Sequence, residues 1–249
     1  MSHQLVKRFF PKDQHHSEGL YGILMQTIPA TGRVLDLGCG VNNILVNFRT
    51  EQSEVWGADF QVHSELCHPE WFRQLAPDGS IPFPDEYFDV IVTVMVMEHI
   101  ANPAVFLKEV ARVLRPGGHF VGHTISGSHY VTWIRRMLDI MPHSFNQWLV
   151  KKLYNRAEED TFPTHYRLNR DSQIKRACRE TGFGDPEITR YVHPGYFAFF
   201  KPLLGIAIIS DWLLEKVKAG WGRLYFTVVT RKEDNEPVTE CDTTREKAA

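Results

Sequence analysis

The residues that decide the fold are Arg33-Val34-Leu35-Asp36-Leu37-Gly38-Cys39-Gly40, followed along the chain by Val55-Trp56-Gly57-Ala58-Asp59. The first apolar run breaks at two glycines before an expected helix, and the second ends in a carboxylate about 20 residues beyond Asp36. Glycines let a ligand approach the backbone closely, and the N-terminus of the following helix offers N–H groups to an anion. An acid at this spacing can accept hydrogen bonds from ribose hydroxyls. The pattern predicts an open α/β sheet that binds a nucleoside with an anionic end.

The glycine loop lacks one feature of a dinucleotide site. A dinucleotide fingerprint has a third glycine, which lets the helix pack close to the strand beside the pyrophosphate, and that position is Asn43 here. Asp36 would also place a carboxylate where a pyrophosphate lies, whereas the same carboxylate can accept hydrogen bonds from an ammonium group. S-adenosylmethionine carries an ammonium, a carboxylate and a ribose but no phosphate, so these residues favour it as the cofactor.

Further segments resemble the Rossmann-like, class I methyltransferases that use S-adenosylmethionine. Residues 81–92 resemble the turn and fourth strand of that family, and Met97-Glu98-His99-Ile100 and Arg115-Pro116-Gly117-Gly118 resemble the segments that follow. The resemblance spans residues 33–124. It implies that Asp59 binds the ribose and that the glycine loop contacts the amino-acid part of the cofactor. The implied cofactor-binding residues are Asp36, Gly38, Cys39, Gly40, Asp59, Phe60, Asp78, Gly79, Thr93 and Val94.

The resemblance also implies the architecture. We expect an α/β fold with a Rossmann-like seven-stranded sheet, mostly parallel with an antiparallel last strand, helices on both faces and a helical insertion after the fifth strand. A single methyltransferase domain is expected over residues 1–232, with the insertion at about 128–168 and an apolar helical segment at about 196–219. Residues 233–249 are charged and almost free of large apolar side chains, so a disordered tail is expected there.

Two places depart from the family pattern. Many members carry a third glycine where this chain has Asn42, so the loop is expected to lie differently around the methionine carboxylate. The usual helix and third strand are hard to identify in residues 63–76, which hold only scattered apolar side chains and Pro69. The adenine contacts are therefore placed by resemblance alone, at Asp78 and Gly79.

The composition bounds the partners and the compartment. With 28 Lys and Arg against 30 Asp and Glu, the formal net charge is −2, so no basic field attracts nucleic acid, which is disfavoured as a substrate. The four cysteines form no C-x-x-C pair, which argues against a zinc site or a disulfide scaffold, and no metal is expected. The polar N-terminus has no signal-peptide core, so a cytoplasmic protein is expected.

Residues 160–169 hold the candidate catalytic residues, because they combine polar, aromatic and cationic side chains before a helix. They also resemble a segment of bacterial methyltransferases of surface-glycan and lipid pathways. His165 could act there as a general base and Tyr166 could orient the substrate. The alternative is that Tyr166 packs against the sheet and Asn169 caps the helix. The catalytic residue is otherwise left unassigned, because methyl transfer from a sulfonium depends mainly on alignment and exclusion of water.

Other histidines fall near the expected ligand edge. His99 follows Glu98 in a segment for which the family pattern favours a structural or cofactor-lining role. His123 ends a strand at the edge where ligands gather in open α/β sheets. His15 and His16 precede a short helix, expected at residues 19–28, of the kind that commonly covers the cofactor in this fold. Solvated side chains in a mobile N-terminal segment are the alternative for these two.

The most apolar part of the chain is residues 196–214. Polar and helix-breaking residues interrupt it, so it falls short of the roughly 18 uncharged apolar residues that indicate a membrane-spanning helix. One interpretation is a helix buried on the core. The other is an exposed apolar face that docks on lipid or receives an apolar substrate, which would make the protein membrane-peripheral.

These observations predict a methyltransferase that acts on a small molecule or on a lipid- or glycan-linked precursor by in-line methyl transfer. An aminopropyl-type transferase is one alternative, and it would need additional acidic residues for a polyamine. A catalytically silent subunit that binds S-adenosylmethionine and scaffolds a partner is the other. The sequence does not indicate the oligomeric state.

Overall fold

The computed structural model describes residues 8–10, 15–42, 44–139, 163–193, 201–217 and 223–233. Seven strands in these ranges form one sheet: β1 (Gly32–Leu37), β2 (Ser53–Asp59), β3 (Phe72–Gln74), β4 (Phe88–Val94), β5 (Leu114–Ile125), β6 (Glu187–Tyr191) and β7 (Tyr225–Arg231). Their spatial order is β3-β2-β1-β4-β5-β7-β6. The first five pair in parallel, and β7 is antiparallel to both β5 and β6. The expected Rossmann-like sheet is confirmed.

Helices cover the two faces of the sheet because alternate strand residues point to opposite sides. The helices are α1 (His16–Thr27), α2 (Pro103–Val113), α3 (Tyr130–Asp139), α4 (Asp171–Glu180) and α5 (Lys201–Lys216). On one face α1 buries Leu20 and Leu24 against Val34, Val90 and Val121. On the other face α2 and α4 pack on a larger apolar cluster that includes Leu35, Leu107, Ile91, Phe120 and Ile174.

The third strand is where the sequence pattern was least informative. Strand β3 has only three residues and lies at the edge of the sheet, paired with Gly57–Asp59 of β2. Phe72 is its one buried side chain, and a 3-10 turn over Pro69–Trp71 precedes it where a helix is usual in the family. So short an edge strand needs no alternating apolar pattern, which explains why residues 63–76 gave no clear signal.

One expected helix begins earlier than expected, and two other expected segments extend beyond the described residues. The helix expected at residues 19–28 begins three residues earlier, at His16, after His15 accepts a hydrogen bond from the backbone N–H of Ser17. Helix α3 lies inside the expected insertion, whose residues 140–162 are outside the described part of the chain. Residues 234–249 are outside it as well, so the single domain and its disordered tail stay predictions.

Helix α5 has features of both interpretations of the apolar stretch, because one of its faces is buried and the other is exposed. Leu204, Ala207 and Ile208 are buried. The opposite face exposes a stripe at helical spacing, which we call the α5 stripe: Ile206, Ile209, Leu213 and Val217. Among the described residues no helix is long and apolar enough to cross a membrane.

Candidate functional site

The site lies at the edge where the parallel strands end. Because β1, β2, β4 and β5 run the same way, the residues that follow them meet at one edge of the sheet. Gly38 follows β1, Phe60 follows β2, Met95 follows β4 and Ser126 follows β5. The edge therefore collects segments that are far apart in the sequence.

The glycine loop after β1 is held by main-chain hydrogen bonds to the end of β2. The N–H groups of Gly38 and Cys39 both donate to the carbonyl oxygen of Ala58, at 2.7 and 3.3 Å. Gly38 and Gly40 have φ values of 80° and 54°, in the left-handed region that glycine adopts easily. A Cβ on Gly40 would meet no protein atom within 4 Å, so the loop leaves open space above this residue.

Asn42 shows how the loop manages without the third glycine. Its φ is 57°, a left-handed conformation that asparagine tolerates better than most residues. Its side-chain amide donates to the carbonyl oxygen of His68 at 3.2 Å. A Cβ on Gly57 would lie 2.5 Å from the Asn42 side-chain oxygen, so the absence of a side chain on β2 makes room for this residue.

Asp59 connects the glycine loop to the end of β2. One carboxylate oxygen accepts a hydrogen bond from the N–H of Gly40 at 2.9 Å, and the other accepts from the N–H of Gln61 at 3.2 Å. A carboxylate oxygen can accept more than one hydrogen bond. Asp59 therefore retains acceptor capacity for ligand hydroxyls while it fixes the loop.

Asp36 is a buried carboxylate that lacks hydrogen-bond donors among the described residues. Its side chain is 1% exposed, and neither carboxylate oxygen has a hydrogen-bond partner among the residues described. Burial, with a smaller contribution from the charge of Asp59, raises the pKa of Asp36 to about 7. Burial of an acid without a hydrogen-bond partner destabilises the fold unless a ligand supplies that partner. Asp36 therefore marks a place for a hydrogen-bond donor or a cation.

Phe60, which follows β2, lies beside Gly79, one of the two residues predicted to contact adenine. Phe60 exposes 53% of its surface, and a Cβ on Gly79 would lie 3.9 Å from the ring of Phe60. The Asp78 carboxylate accepts hydrogen bonds from the N–H and the hydroxyl of Ser80, which hold the pKa of Asp78 below its usual range. An exposed ring beside a glycine offers a surface on which a planar base can stack.

The loop after β4 contains the remaining predicted cofactor residues and a backbone irregularity. Thr93 is fully buried and Val94 is half-buried at the end of the strand. Met95 has a φ of 57°, and its N–H donates to the carbonyl oxygen of His123 at 2.8 Å. The chain thus turns sharply where β4 meets the ligand edge.

A buried polar network follows this turn, and the sequence analysis assigned no such network. Thr124 donates its hydroxyl proton to the Glu98 carboxylate at 2.6 Å, and the Asn169 amide donates to the Thr124 hydroxyl at 3.0 Å. Burial raises the pKa of Glu98. The Asn169 amide also donates to the carbonyl oxygen of Ile125 at 2.8 Å. The network joins the loop after β4, the end of β5 and the segment before α4.

The candidate catalytic segment packs on the same loop. The N–H groups of His165 and Tyr166 donate to the carbonyl oxygen of Glu98 at 2.8 and 3.1 Å. Tyr166 is buried and His165 is exposed, so the packing interpretation fits Tyr166. The prediction that Asn169 caps the helix is wrong: the N-cap of α4 is Arg170, because the Asn169 amide is used in the buried network.

A histidine cluster lies beside the end of β5. His16 and His123 approach to 3.3 Å between Nδ1 and Nε2, and His123 is 2.9 Å from the hydroxyl of Thr227 through its other nitrogen. His193, which the sequence analysis did not single out, has its ring 4.9 Å from that of His16 and 5.2 Å from that of His15. Only the fold unites these residues, because no local spacing connects position 193 with positions 15 and 16.

An apolar cavity opens beyond the end of β5. Its volume is about 580 Å³, and it is lined by Ser128, Tyr130, Trp133, Arg170 and Leu214. Among the described lining residues, Arg170 contributes a cation, and Trp133 and Leu214 contribute apolar surface. The cavity can therefore hold an organic molecule with an apolar body and a polar or anionic group.

Comparison with known proteins agrees with this architecture. A 2-methyl-6-phytyl-1,4-hydroquinone methyltransferase of Synechocystis is 33% identical over 105 residues, which cover 39% of this chain and 33% of that protein. A ubiquinone biosynthesis O-methyltransferase of Maricaulis maris is 27% identical over 167 residues, which cover 60% of this chain and 58% of that protein. The chain thus spans less than two thirds of the length of these curated relatives.

A solved structure shares the fold at lower identity. Phosphoethanolamine N-methyltransferase 2 of Haemonchus contortus, in complex with S-adenosyl-L-methionine, matches with a TM-score of 0.52 at 16% identity, over 87% of this chain and 53% of that chain. Residues 4–185 match the family described as a methyltransferase domain. The expected cofactor, S-adenosylmethionine, is confirmed, and the roles of individual residues stay predictions. The chain belongs to the methyltransferase-domain family.

Proposed function

We propose that this protein transfers the methyl group of S-adenosylmethionine, by in-line displacement, to a small molecule or to a lipid- or glycan-linked precursor. The observation that carries the proposal is the unpaired, buried Asp36 carboxylate beside the glycine loop. An ammonium group in the loop would supply the missing hydrogen bonds and the compensating charge. The cofactor provides such a group, and a phosphate-bearing dinucleotide would instead bring a like charge.

The surrounding residues support a complete cofactor site. In this proposal Asp59 accepts from the ribose hydroxyls, while Gly38, Cys39 and Gly40 line the amino-acid part. Phe60, Asp78 and Gly79 surround the adenine, and Thr93 and Val94 line the site at the end of β4. Open space above Gly40 and the exposed ring of Phe60 fit these roles.

The acceptor is proposed to have an apolar body, because the cavity beyond β5 is lined by Trp133 and Leu214. The relatives named above for a phytyl hydroquinone and for ubiquinone biosynthesis are consistent with such an acceptor. His165 stays the candidate general base, since its side chain is exposed. A phenolate or a carboxylate would need less assistance than an alcohol to lose its proton.

Contact with a lipid surface is proposed through the α5 stripe. Its four apolar side chains are exposed, and Lys201 and Lys216 are exposed near the two ends of the helix. An apolar stripe flanked by cations fits the interface of an anionic bilayer. Such contact would bring a lipid-linked acceptor to the cavity, which Leu214 of the same helix lines.

Methyl-labelled S-adenosylmethionine tests the proposal directly. The protein is incubated with labelled cofactor and cell extract, which is then separated into lipid, glycan, protein and small-molecule fractions. We expect label in the lipid, glycan or small-molecule fraction, together with S-adenosylhomocysteine, and none with a Gly40→Val control. Cofactor binding without transfer would indicate a scaffold subunit instead. In a parallel incubation with cofactor labelled in its methionine chain carbons, transfer of that label would indicate the aminopropyl-type reaction.

A further inference from the structure

Three histidines from two distant parts of the chain meet beside the end of β5. One ring nitrogen from each of His15, His16 and His193 lies within 4.8 Å of the other two. The rings of His15 and His16 are 4.5 Å apart between centroids, and the ring of His193 stands at 83° to both. Neutral imidazole nitrogens suit zinc and related divalent ions.

We propose that His15, His16 and His193 bind one divalent transition-metal ion of the zinc class. In a tetrahedral site with Zn–N distances of about 2.0–2.1 Å, ligand nitrogens lie roughly 3.4 Å apart. The observed limit of 4.8 Å therefore requires the nitrogens to approach by up to about 1.4 Å, which side-chain rotations can supply. All three side chains are only partly buried, so an ion can reach them from solvent.

Residues behind the cluster would orient His16. Nδ1 of His16 lies 3.3 Å from Nε2 of His123, and Nδ1 of His123 lies 2.9 Å from the hydroxyl oxygen of Thr227. With Nε2 of His16 on the metal, its Nδ1–H donates to His123, whose Nδ1–H donates to Thr227. Such a chain fixes the ring and the tautomer of a metal ligand. The ring of Tyr225 stacks on His16 at 4.0 Å.

The number of ligands indicates the class of the site. Three protein nitrogens leave a tetrahedral ion with an open position, as in catalytic rather than structural zinc sites. His123 pairs with Val94 across β4 and β5, so the ion would lie at the ligand edge, and an oxygen donor such as water or a hydroxyl compound would complete it. This proposal departs from the expectation of no metal, because ligand spacing along the chain cannot reveal His193. It does not depend on the proposed function.

Titration with Co²⁺ tests the site, because tetrahedral Co²⁺ has a visible absorption band and Zn²⁺ then displaces it. The full chain is used without a histidine tag after treatment with a chelator. We expect one Co²⁺ per chain and displacement by one Zn²⁺. His193→Gln and His16→Gln should each weaken binding by about tenfold or more, and His123→Gln by about tenfold. The matched control, His63→Gln, removes a histidine outside the cluster and should leave the affinity unchanged.

Two further measurements separate metal binding from folding and from catalysis. Circular dichroism and S-adenosylmethionine binding are recorded on each variant, and we expect both to be retained. No stoichiometric Co²⁺ band, or equal affinity in His16→Gln, His193→Gln and the wild type, would overturn the metal site. Methyl transfer by a protein that binds no metal would overturn the site alone. Metal binding without methyl transfer would support the site and overturn the proposed function.

Discussion

The proposed cofactor side, around the glycine loop, and the proposed acceptor side, which includes the buried network of Glu98, Thr124 and Asn169, share one sheet edge but are built in different ways. On the cofactor side, Gly38, Cys39, Gly40 and Asp59 lie within 30 residues of one another and are joined largely by main-chain N–H groups. On the acceptor side, Glu98, Thr124 and Asn169 are joined through their side chains across more than 70 residues. A site built from local backbone can be identified from a short sequence pattern. A site built from distant side chains requires the fold.

Cofactor binding should therefore be lost when the backbone conformation of the glycine loop is changed. We expect Gly40→Val to reduce S-adenosylmethionine binding by about 100-fold or more, because a branched side chain at φ 54° is strained and would fill the open space above the loop. Calorimetry on folded protein measures the change. Gly182→Val is the matched control, since Gly182 also has a positive φ and open space but follows α4, away from the site. Equal loss of binding in both variants would contradict the assignment of the loop.

Removal of a single side chain should have a smaller effect. Asp59→Ala is expected to weaken cofactor binding by about 1.5–3 kcal/mol, the range for losing hydrogen bonds to a charged group. Part of this loss would come from the N–H of Gly40, which loses its acceptor. Glu54→Ala changes an acid at the opposite end of β2 and should leave the affinity unchanged. Unchanged affinity in Asp59→Ala would show that another residue binds the ribose.

The buried acid allows a test by pH. Because burial raises the pKa of Asp36 to about 7, the folded state keeps this proton to higher pH than the unfolded state does. The contribution of Asp36 to stability is therefore fully present below about pH 4 and is lost as the pH rises to about 7. Denaturant unfolding of wild type and Asp36→Asn without cofactor should show their difference in free energy changing by about 3 kcal/mol over that range. A constant difference would contradict the raised pKa.

The smallest effect on stability is expected on the acceptor side, at the α5 stripe. Ile206→Glu with Ile209→Glu should change the free energy of unfolding by less than about 1 kcal/mol, because both side chains are exposed. Co-sedimentation with anionic vesicles should fall several-fold. Ile208→Glu is the contrasting change, since Ile208 is 1% exposed and an unpaired buried charge should unfold the protein. Vesicle binding that is undiminished in the folded double variant would eliminate lipid docking through this stripe.

The sequence predicted those features that depend on local pattern. Residues 33–59 carried the pattern of strand β1, the glycine loop, strand β2 and the acid at its end. The helix expected after the glycines is contradicted, because the described residues between β1 and β2 form only a 3-10 turn, Val46–Phe48. The short edge strand β3 was not predicted, because a single buried residue, Phe72, makes no alternating pattern. The buried hydrogen bonds of Asn169 were not predicted either, since its partners Thr124 and Ile125 lie more than 40 residues away in the sequence. Local signals were sufficient for the sheet apart from β3, and the proposed acceptor side needed three-dimensional proximity.

The bonds that hold residues 163–169 have a consequence for motion. This segment donates two N–H groups to the carbonyl oxygen of Glu98, and the carbonyl oxygen of Asn169 accepts from the N–H of Gly127. The segment is thus fastened at both ends, to the loop after β4 and to the loop after β5. Lifting it would break these bonds together with the buried hydrogen bond from the Asn169 amide to the Thr124 hydroxyl. We therefore expect an acceptor to enter and leave between α3 and α5, whose movement breaks none of these bonds, while residues 163–169 stay fixed through each turnover.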